Sequence, residues 1–317
     1  MNFYCITINF PVYFLVMYKR ILKKPNDSLL LLGPRGTGKS TWIKQHFPET
    51  TLYNLLNTKE QLRLSKDPSL FYQETKALPK NAWVIIDEIQ KVPALLDEVH
   101  RLIEENNYKF ILSGSSARKL RKGASNLLAG RAISQQMFPF CSREVDTRDI
   151  EQVLKFGLLP KAYDLERPIS FLKTYAEVYL KEEILSEALT RNIGAFSRFL
   201  EVAARQNGQL TNLSNIARDA EVKRPSVDGY FSILVDTLIG YWLPAWSLNS
   251  STKQVDHPKF YFFDSGVVRS LSGRLPYEMT LEERGFLLET WILHELRCYI
   301  AYNELYYQLY FWRNHNG

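Results

Sequence analysis

Residues 28–40 read Ser-Leu-Leu-Leu-Leu-Gly-Pro-Arg-Gly-Thr-Gly-Lys-Ser, an apolar run feeding directly into the spacing G-x-x-x-x-G-K-S. Each residue type in that pattern has a physical job. Gly33, Gly36 and Gly38 lack a Cβ, so the loop can take left-handed dihedrals and turn its N–H groups onto phosphate oxygens. Lys39 brings a point charge to the β- and γ-phosphates, Ser40 a hydroxyl to Mg²⁺, and the helix beginning there its positive dipole end. Pro34, Arg35, Thr37 and Thr41 complete the candidate nucleotide-binding set. Upstream, the continuous apolar run 29–32 suits a central parallel strand covered on both faces, and Thr41-Trp42-Ile43-Lys44-Gln45 continues as helix without a breaker. Strand, glycine loop and helix in that order are the context the motif requires.

A second element lies downstream. Residues 82–88 read Ala-Trp-Val-Ile-Ile-Asp-Glu, a buried-strand pattern ending in two carboxylates. At the carboxyl end of a neighbouring strand they face the same crevice, where Asp87 is expected to hold Mg²⁺ through water and Glu88 to orient or deprotonate the attacking water. A third strand, Lys109-Phe110-Ile111-Leu112-Ser113-Gly114-Ser115-Ser116, runs into small hydroxyl residues. Ser115, ahead of Ser113, is the candidate polar sensor of the γ-phosphate; the alternative is an ordinary Ser/Gly turn. Between 106 and 143 there is no acid, whereas Lys109, Arg118, Lys119, Arg121, Lys122, Arg131 and Arg143 are basic. Arg131, in Leu-Ala-Gly-Arg, is the candidate arginine finger, set against the commoner outcome of a solvated basic face.

The bulk composition bounds the rest. With 317 residues and 45% apolar content, the chain suggests about two to three domains. A net charge of +6 is compatible with nucleic acid or an acidic partner and diagnostic of neither. Cys5, Cys141 and Cys298 are odd in number and far apart, which predicts reduced thiols, a cytoplasmic location and no zinc site. The apolar stretch 3–16 is too short to span a bilayer and contains Asn9 and Pro11, so neither a membrane anchor nor a signal peptide is expected. Residues 1–16 read as a possible non-native extension, with Met17 the more natural beginning.

Beyond Pro139-Phe140 a helical pattern takes over. Phe171, Leu172, Tyr175, Val178, Ile184, Leu185 and Leu189 predict one or two helices across 169–195. Residues 197–245 have helix-turn-helix spacing: a helix at 199–204, a second from Leu213, Val222 in the turn, and a third opening at Pro225-Ser226-Val227. That third helix, with Lys223, Arg224 and Ser226, is a candidate DNA reader. The charge balance favours a packing module instead, because Arg198, Arg205, Arg218, Lys223 and Arg224 are matched by Glu201, Asp219, Glu221, Asp228 and Asp236. Residues 259–264 read as a strand, 285–302 as a long helix carrying Glu289 and Glu295, and 309–313 as another strand before Asn316-Gly317, a hairpin turn with nothing after it.

Taken together, Gly-Pro-Arg-Gly-Thr-Gly-Lys-Ser at 33–40, Asp87-Glu88-Ile89-Gln90 followed by Lys91-Val92-Pro93, Leu112-Ser113-Gly114-Ser115-Ser116, Gly130-Arg131, and Pro258-Lys259 through Asp264-Ser265-Gly266 make the chain resemble bacterial and archaeal AAA-type P-loop ATP-binding proteins. Those proteins carry a C-terminal domain of unknown function 4143, related to restriction-endonuclease-like folds. The resemblance implies an α/β fold: a P-loop NTPase parallel sheet with helices on both faces at 17–145, a helical and winged-helix-like region at 146–248, and a partial α+β nuclease-like domain at 249–317. It also implies ATP and Mg²⁺ as ligands. In similar proteins a second strand after the Trp-Arg strand completes a metal site. Here the sequence stops first, so Glu289 or Glu295 would stand as a single carboxylate, too few to hold a catalytic metal.

The function expected is therefore a Mg²⁺-dependent ATPase, a switch or motor for a partner the sequence does not identify, with Lys39 and Glu88 catalytic and possible homo-oligomers. The competing class is an ATP-regulated DNA-binding or DNA-processing protein. A small-metabolite kinase fits poorly, because Asp87-Glu88 places a water-activating acid where such kinases need none.

Overall fold

In the computed structural model, which describes residues 18–116, 130–179, 192–246 and 257–312, the run Leu29–Leu32 forms β1, with a parallel strand on each side. It leads through the glycine loop into α1 (Lys39–His46), and then come β2 (Thr51–Asn54), α2 (Thr58–Lys66), α3 (Ser69–Lys76), β3 (Trp83–Asp87), α4 (Leu95–Asn106), β4 (Lys109–Gly114) and β5 (Ile133–Gln136). Across the sheet the order is β2-β3-β4-β1-β5, every pair parallel. Alternation along the strands sends side chains to both faces. Val84, Ile86, Phe110 and Leu112 join the core beneath α2, α3 and α4, while Leu29, Leu31, Ile85 and Ile111 pack with Trp42 and Ile43 of α1. The expected parallel α/β sheet with helices on both faces is the fold observed. Because β4 lies between β1 and β3, the carboxyl ends of these three strands open side by side.

The rest of the chain forms α5 (Ile150–Phe156), α6 (Pro160–Asp164), α7 (Ile169–Thr174) continuing into a π turn over Tyr175–Tyr179, α8 (Ile193–Arg205), α9 (Leu213–Asp219), α10 (Arg224–Asp236), β6 (Gly240–Leu243), β7 (Lys259–Phe262), α11 (Ser265–Leu271) and α12 (Leu281–Tyr302). One apolar cluster runs through these elements, from Leu154 and Leu172 through Phe199 and Phe231 to Phe262, Val267 and Leu287.

The two C-terminal strand segments read from the sequence pair in different ways. The boundary placed at 248/249 falls between β6 and β7, which pair antiparallel with Gly240 opposite Phe262 and Leu243 opposite Lys259. The reason is aromatic packing: Phe260 lies 4.6 Å from the Phe231 ring and 4.8 Å from Trp242, so the strand is completed by the helical body before it and not by a later domain. The strand expected at 309–313 is, within the described residues, an isolated bridge between Ala245 and Phe311. Within the described residues α12 folds back onto the sheet-bearing part. There His294 Nε2 lies 2.8 Å from the Phe140 carbonyl, and Phe138 N donates to Tyr302 Oη at 3.2 Å. Residues 1–16 and the basic residues Arg118, Lys119, Arg121 and Lys122 lie outside the described residues.

Candidate nucleotide site

The glycine loop takes the shape its residues permit. Gly36 and Gly38 have φ of 83° and 92°, the left-handed region that a side chain disfavours. Gly33 is needed for space: a Cβ there would lie 2.3 Å from the Met137 carbonyl oxygen, which follows β5. Lys39 is buried, and its Nζ donates to the carbonyls of Gly33 at 2.8 Å and Pro34 at 3.2 Å. Thr37 Oγ1 closes the same turn on Pro34 O at 2.9 Å.

Ser40 Oγ donates to Asp87 Oδ2 at 2.8 Å, joining the loop after β1 to the end of β3. The other carboxylate oxygen of Asp87 accepts from Ser113, at the end of the intervening β4. Glu88 adopts a left-handed backbone, φ 63°, uncommon for a residue with a Cβ and found where surrounding structure enforces it. Its N–H is held by Ser113 Oγ at 3.1 Å, and its carboxylate accepts from Ser115 Oγ at 3.1 Å and from Gln90 Nε2. A 3₁₀ turn over Ile89–Lys91 brings Gln90 back beside Glu88, where it also donates to Ser115 at 2.9 Å. Gln90 Oε1 is buried with no hydrogen-bond partner among the described residues, so this cluster has room for one more donor.

A cavity of about 500 Å³ adjoins these groups. Lys39, Ser40 and Glu88 line it together with Tyr18, Phe140, Pro160 and Asp164. Tyr18 packs on Phe140 at 4.7 Å between centroids, and burial with the nearby Asp164 carboxylate pushes its phenol up to about 12, so it stays neutral. The residues present suit ATP with Mg²⁺: an amide-lined turn with a lysine, beside a hydroxyl and a carboxylate, the hard oxygen donors that Mg²⁺ prefers.

Of the sequence candidates, Gly33 through Thr41, Asp87, Glu88, Ser113 and Ser115 come together at the carboxyl ends of β1, β3 and β4. Arg131 does not. It precedes β5 at the amino end of the strands, roughly 20 Å from Gly33 by strand rise, and donates to Glu104 of α4 at 2.6 Å. Within its own chain it is therefore not delivered to the loop. Glu289 pairs with Lys259 at 2.8 Å, and Glu295 accepts from Ser142 N and Oγ at 2.8 and 2.7 Å. Among the described residues no group of three His, Cys, Asp or Glu side chains is placed to hold a metal ion. Three residues at the site were not singled out from sequence: Gln90, Arg20 and Tyr175. Gln90 sits in the quoted Asp-Glu-Ile-Gln string, whereas Arg20, upstream of the motif, and Tyr175, far downstream, carry no local signal.

Residues 25–146 match the model of the AAA domain, and residues 147–278 match a domain of unknown function (DUF8612). The first segment is thus an AAA-type, P-loop nucleotide-binding domain. Uncharacterized proteins of Mycobacterium tuberculosis (strain ATCC 25618 / H37Rv) and Mycobacterium bovis (strain ATCC BAA-935 / AF2122/97) are each 27% identical over 290 residues, covering 88% of this chain and 64% of theirs. An uncharacterized protein of Methanocaldococcus jannaschii is 22% identical over 311 residues, 86% of this chain and 67% of its own. The chain therefore spans less than two thirds of the length of the mycobacterial relatives. Among solved structures, a signal transduction ATPase with a tetratricopeptide repeat sensor from Pyrococcus horikoshii superposes with TM-score 0.25 at 12% identity, over 89% of this chain and 46% of that one. The Bacillus subtilis DNA clamp loader delta protein gives TM-score 0.27 at 13% identity, over 85% and 95%. Both superpositions are loose, and the fold rests on the strand order above. No helix among the described residues is long and apolar enough to cross a membrane.

Proposed function

We propose that the chain is a Mg²⁺-dependent ATPase acting as an ATP-driven switch or motor. The observation that carries this is the 2.8 Å hydrogen bond between Ser40 and Asp87, which puts the hydroxyl of the glycine loop and the carboxylate of β3 at one place. Lys39 would hold the β- and γ-phosphates, and Ser40 and Asp87 would hold Mg²⁺, which when bound neutralises charge on the phosphate oxygens. The base of the ATP would lie in the same cavity, whose lining includes the Tyr18 and Phe140 rings. Glu88, fixed by Ser115 and Gln90, would take the proton of the attacking water, a role worth about 10²–10⁴-fold in rate.

The DNA reading is not favoured by the charges of the three-helix segment, where Arg198, Arg205, Arg218 and Arg224 each ion-pair with an acid of the same segment. Assembly into homo-oligomers is the natural route by which an arginine from a neighbouring copy would complete the site, and Arg131 at the sheet edge is a candidate for that role in trans.

Lys39→Ala should abolish ATP binding, and Glu88→Gln should bind ATP but stop turnover. Hydrolysis unchanged in both variants would sink the proposal. Measuring specific activity against protein concentration tests the oligomer, since an arginine acting in trans makes activity per chain rise with concentration.

A further inference from the structure

A chain that wraps its N–H groups around an anion must turn intervening carbonyls outward, and those carbonyls need donors of their own. In the glycine loop two of them find side chains from distant parts of the sequence. The Arg35 carbonyl accepts from Tyr175 Oη at 2.7 Å, and the Thr37 carbonyl accepts from Arg20 Nη1 at 2.7 Å. Arg20 donates further through Nη2 to Phe138 O at 2.7 Å and to Tyr302 Oη at 3.4 Å, and its Nε pairs with Glu144 at 3.0 Å. That ion pair is buried, with side-chain exposures of 5% and 0%. Glu144 is held in turn by Ile21 N at 2.9 Å and Cys141 N at 3.3 Å. On the other side the buried Tyr175 ring lies against the loop, 3.4 Å from where a Cβ on Gly36 would stand.

We propose that Arg20 and Tyr175 are positioning residues for phosphate binding, holding the Thr37 and Arg35 carbonyls outward so that the N–H groups of the loop face the polyphosphate; this rests on the ATP-site reading above. The planar fork of Arg20 serves several acceptors from one rigid group, which a lysine cannot do. Tyr175 opens the π turn that follows α7, and Tyr302 closes α12, so the same contacts tie the loop to the helical body and to the C-terminal helix. A displacement of either body would be felt first as a rotation of the peptide planes at 35–38.

Two variants test this in the full chain. Tyr175→Phe removes one hydroxyl and keeps the ring, and Arg20→Lys keeps a cation beside Glu144 but loses the fork. Affinity is read with a fluorescent ATP analogue and with inorganic tripolyphosphate as competitor, alongside the melting temperature of the unliganded protein. Tyr175→Phe should weaken both ligands about fivefold and Arg20→Lys about tenfold or more. Tripolyphosphate should lose as much as the nucleotide, because the effect lies in the phosphate cradle, while unliganded Tyr175→Phe melts close to wild type. Should Arg20→Lys fail to fold, Tyr175→Phe alone decides. Wild-type affinity in the folded variants, or a loss restricted to the nucleotide with tripolyphosphate unaffected, overturns the proposal. Wild type and Lys39→Ala binding the analogue equally overturns the ATP-site reading instead.

Discussion

The nucleotide site and the three-helix segment deploy their charged residues in opposite ways. At the site, Lys39 and Asp87 are buried and hydrogen-bonded to neutral groups, the ammonium to backbone carbonyls and the carboxylate to the Ser40 and Ser113 hydroxyls. In the segment spanning α8 to α10, Arg205 meets Glu201 and Arg224 meets Asp228 at i,i+4 spacing, both in solvent. Exposed pairs of that kind are worth about 0–1 kcal/mol and cancel one another's field. Buried charges held by neutral hydrogen-bonding groups suit a ligand that brings its own strong charges, such as a polyphosphate with its metal. The difference teaches that burial and the type of partner, more than the number of basic residues, mark where an anion is expected to bind.

The largest test of that contrast is Gly33→Ala. Its Cβ would meet the Met137 carbonyl oxygen, a backbone atom, at 2.3 Å, so the loop or the exit of β5 must move. ATP affinity should fall more than about 100-fold, on the order of several lost charge-assisted hydrogen bonds; a fluorescent-nucleotide titration reads it, and retained affinity would show that the loop tolerates displacement.

A buried charge-bearing group outside both regions, where α12 meets the chain that follows β5, offers a second test. His294 of α12 is buried against Phe140, and burial pulls its imidazole down to about 4. The unfolded chain takes up this proton as pH falls below about 6.5, and the fold does not. Stability from this group is therefore complete above about 6.5 and lost toward 4, on the order of 3 kcal/mol over that range. Asp264, raised to about 6 by burial, acts in the opposite sense: its contribution is present below about 4 and lost as pH rises toward 6. Denaturation midpoints of wild type and His294→Gln across pH 4–8 isolate the histidine. The two curves should converge as pH falls, and parallel curves would contradict the assignment.

A smaller effect is expected at Gln90. Gln90→Leu removes the donor to Glu88 and Ser115 but leaves the glycine loop untouched, so kcat should drop about tenfold with KM for ATP nearly constant. An equal change in KM would place Gln90 in nucleotide binding instead. Smallest of all, Arg218→Glu with Arg224→Glu should alter turnover and duplex-DNA anisotropy less than about twofold, given that both arginines sit in exposed ion pairs. A steep dependence of DNA binding on salt in wild type, abolished by this double change, would break the comparison.

The parts legible from sequence were those written contiguously. β1, β3 and β4 show as apolar runs because they are covered on both faces, and each leads directly into residues of the site. β2 and β5 escaped, since Thr51–Asn54 and Ile133–Gln136 form the two edges of the sheet and are largely exposed or half-buried. Edge strands carry no continuous hydrophobic signal. Arg131 was drawn toward the site by its place in an acid-free stretch, and strand register put it at the far end of β5. Arg20 and Tyr175 were silent for a different reason: the carbonyls they bind are 17 and 140 residues away, and backbone acceptors leave no trace in residue type. The pairing of β6 with β7 was missed because the aromatic run at 259–262 looks the same whichever strand it joins.

The central claim is that Ser40 and Asp87 together hold the metal that makes phosphate chemistry possible at this loop. Titrating Mg²⁺ into wild type and Asp87→Asn, starting from EDTA and following ATP turnover, tests it most directly. The account predicts no turnover in EDTA for either protein, and in Asp87→Asn a Mg²⁺ midpoint raised about tenfold or more, or no recovery at all. Turnover that survives EDTA, or identical Mg²⁺ midpoints in the two proteins, would contradict it.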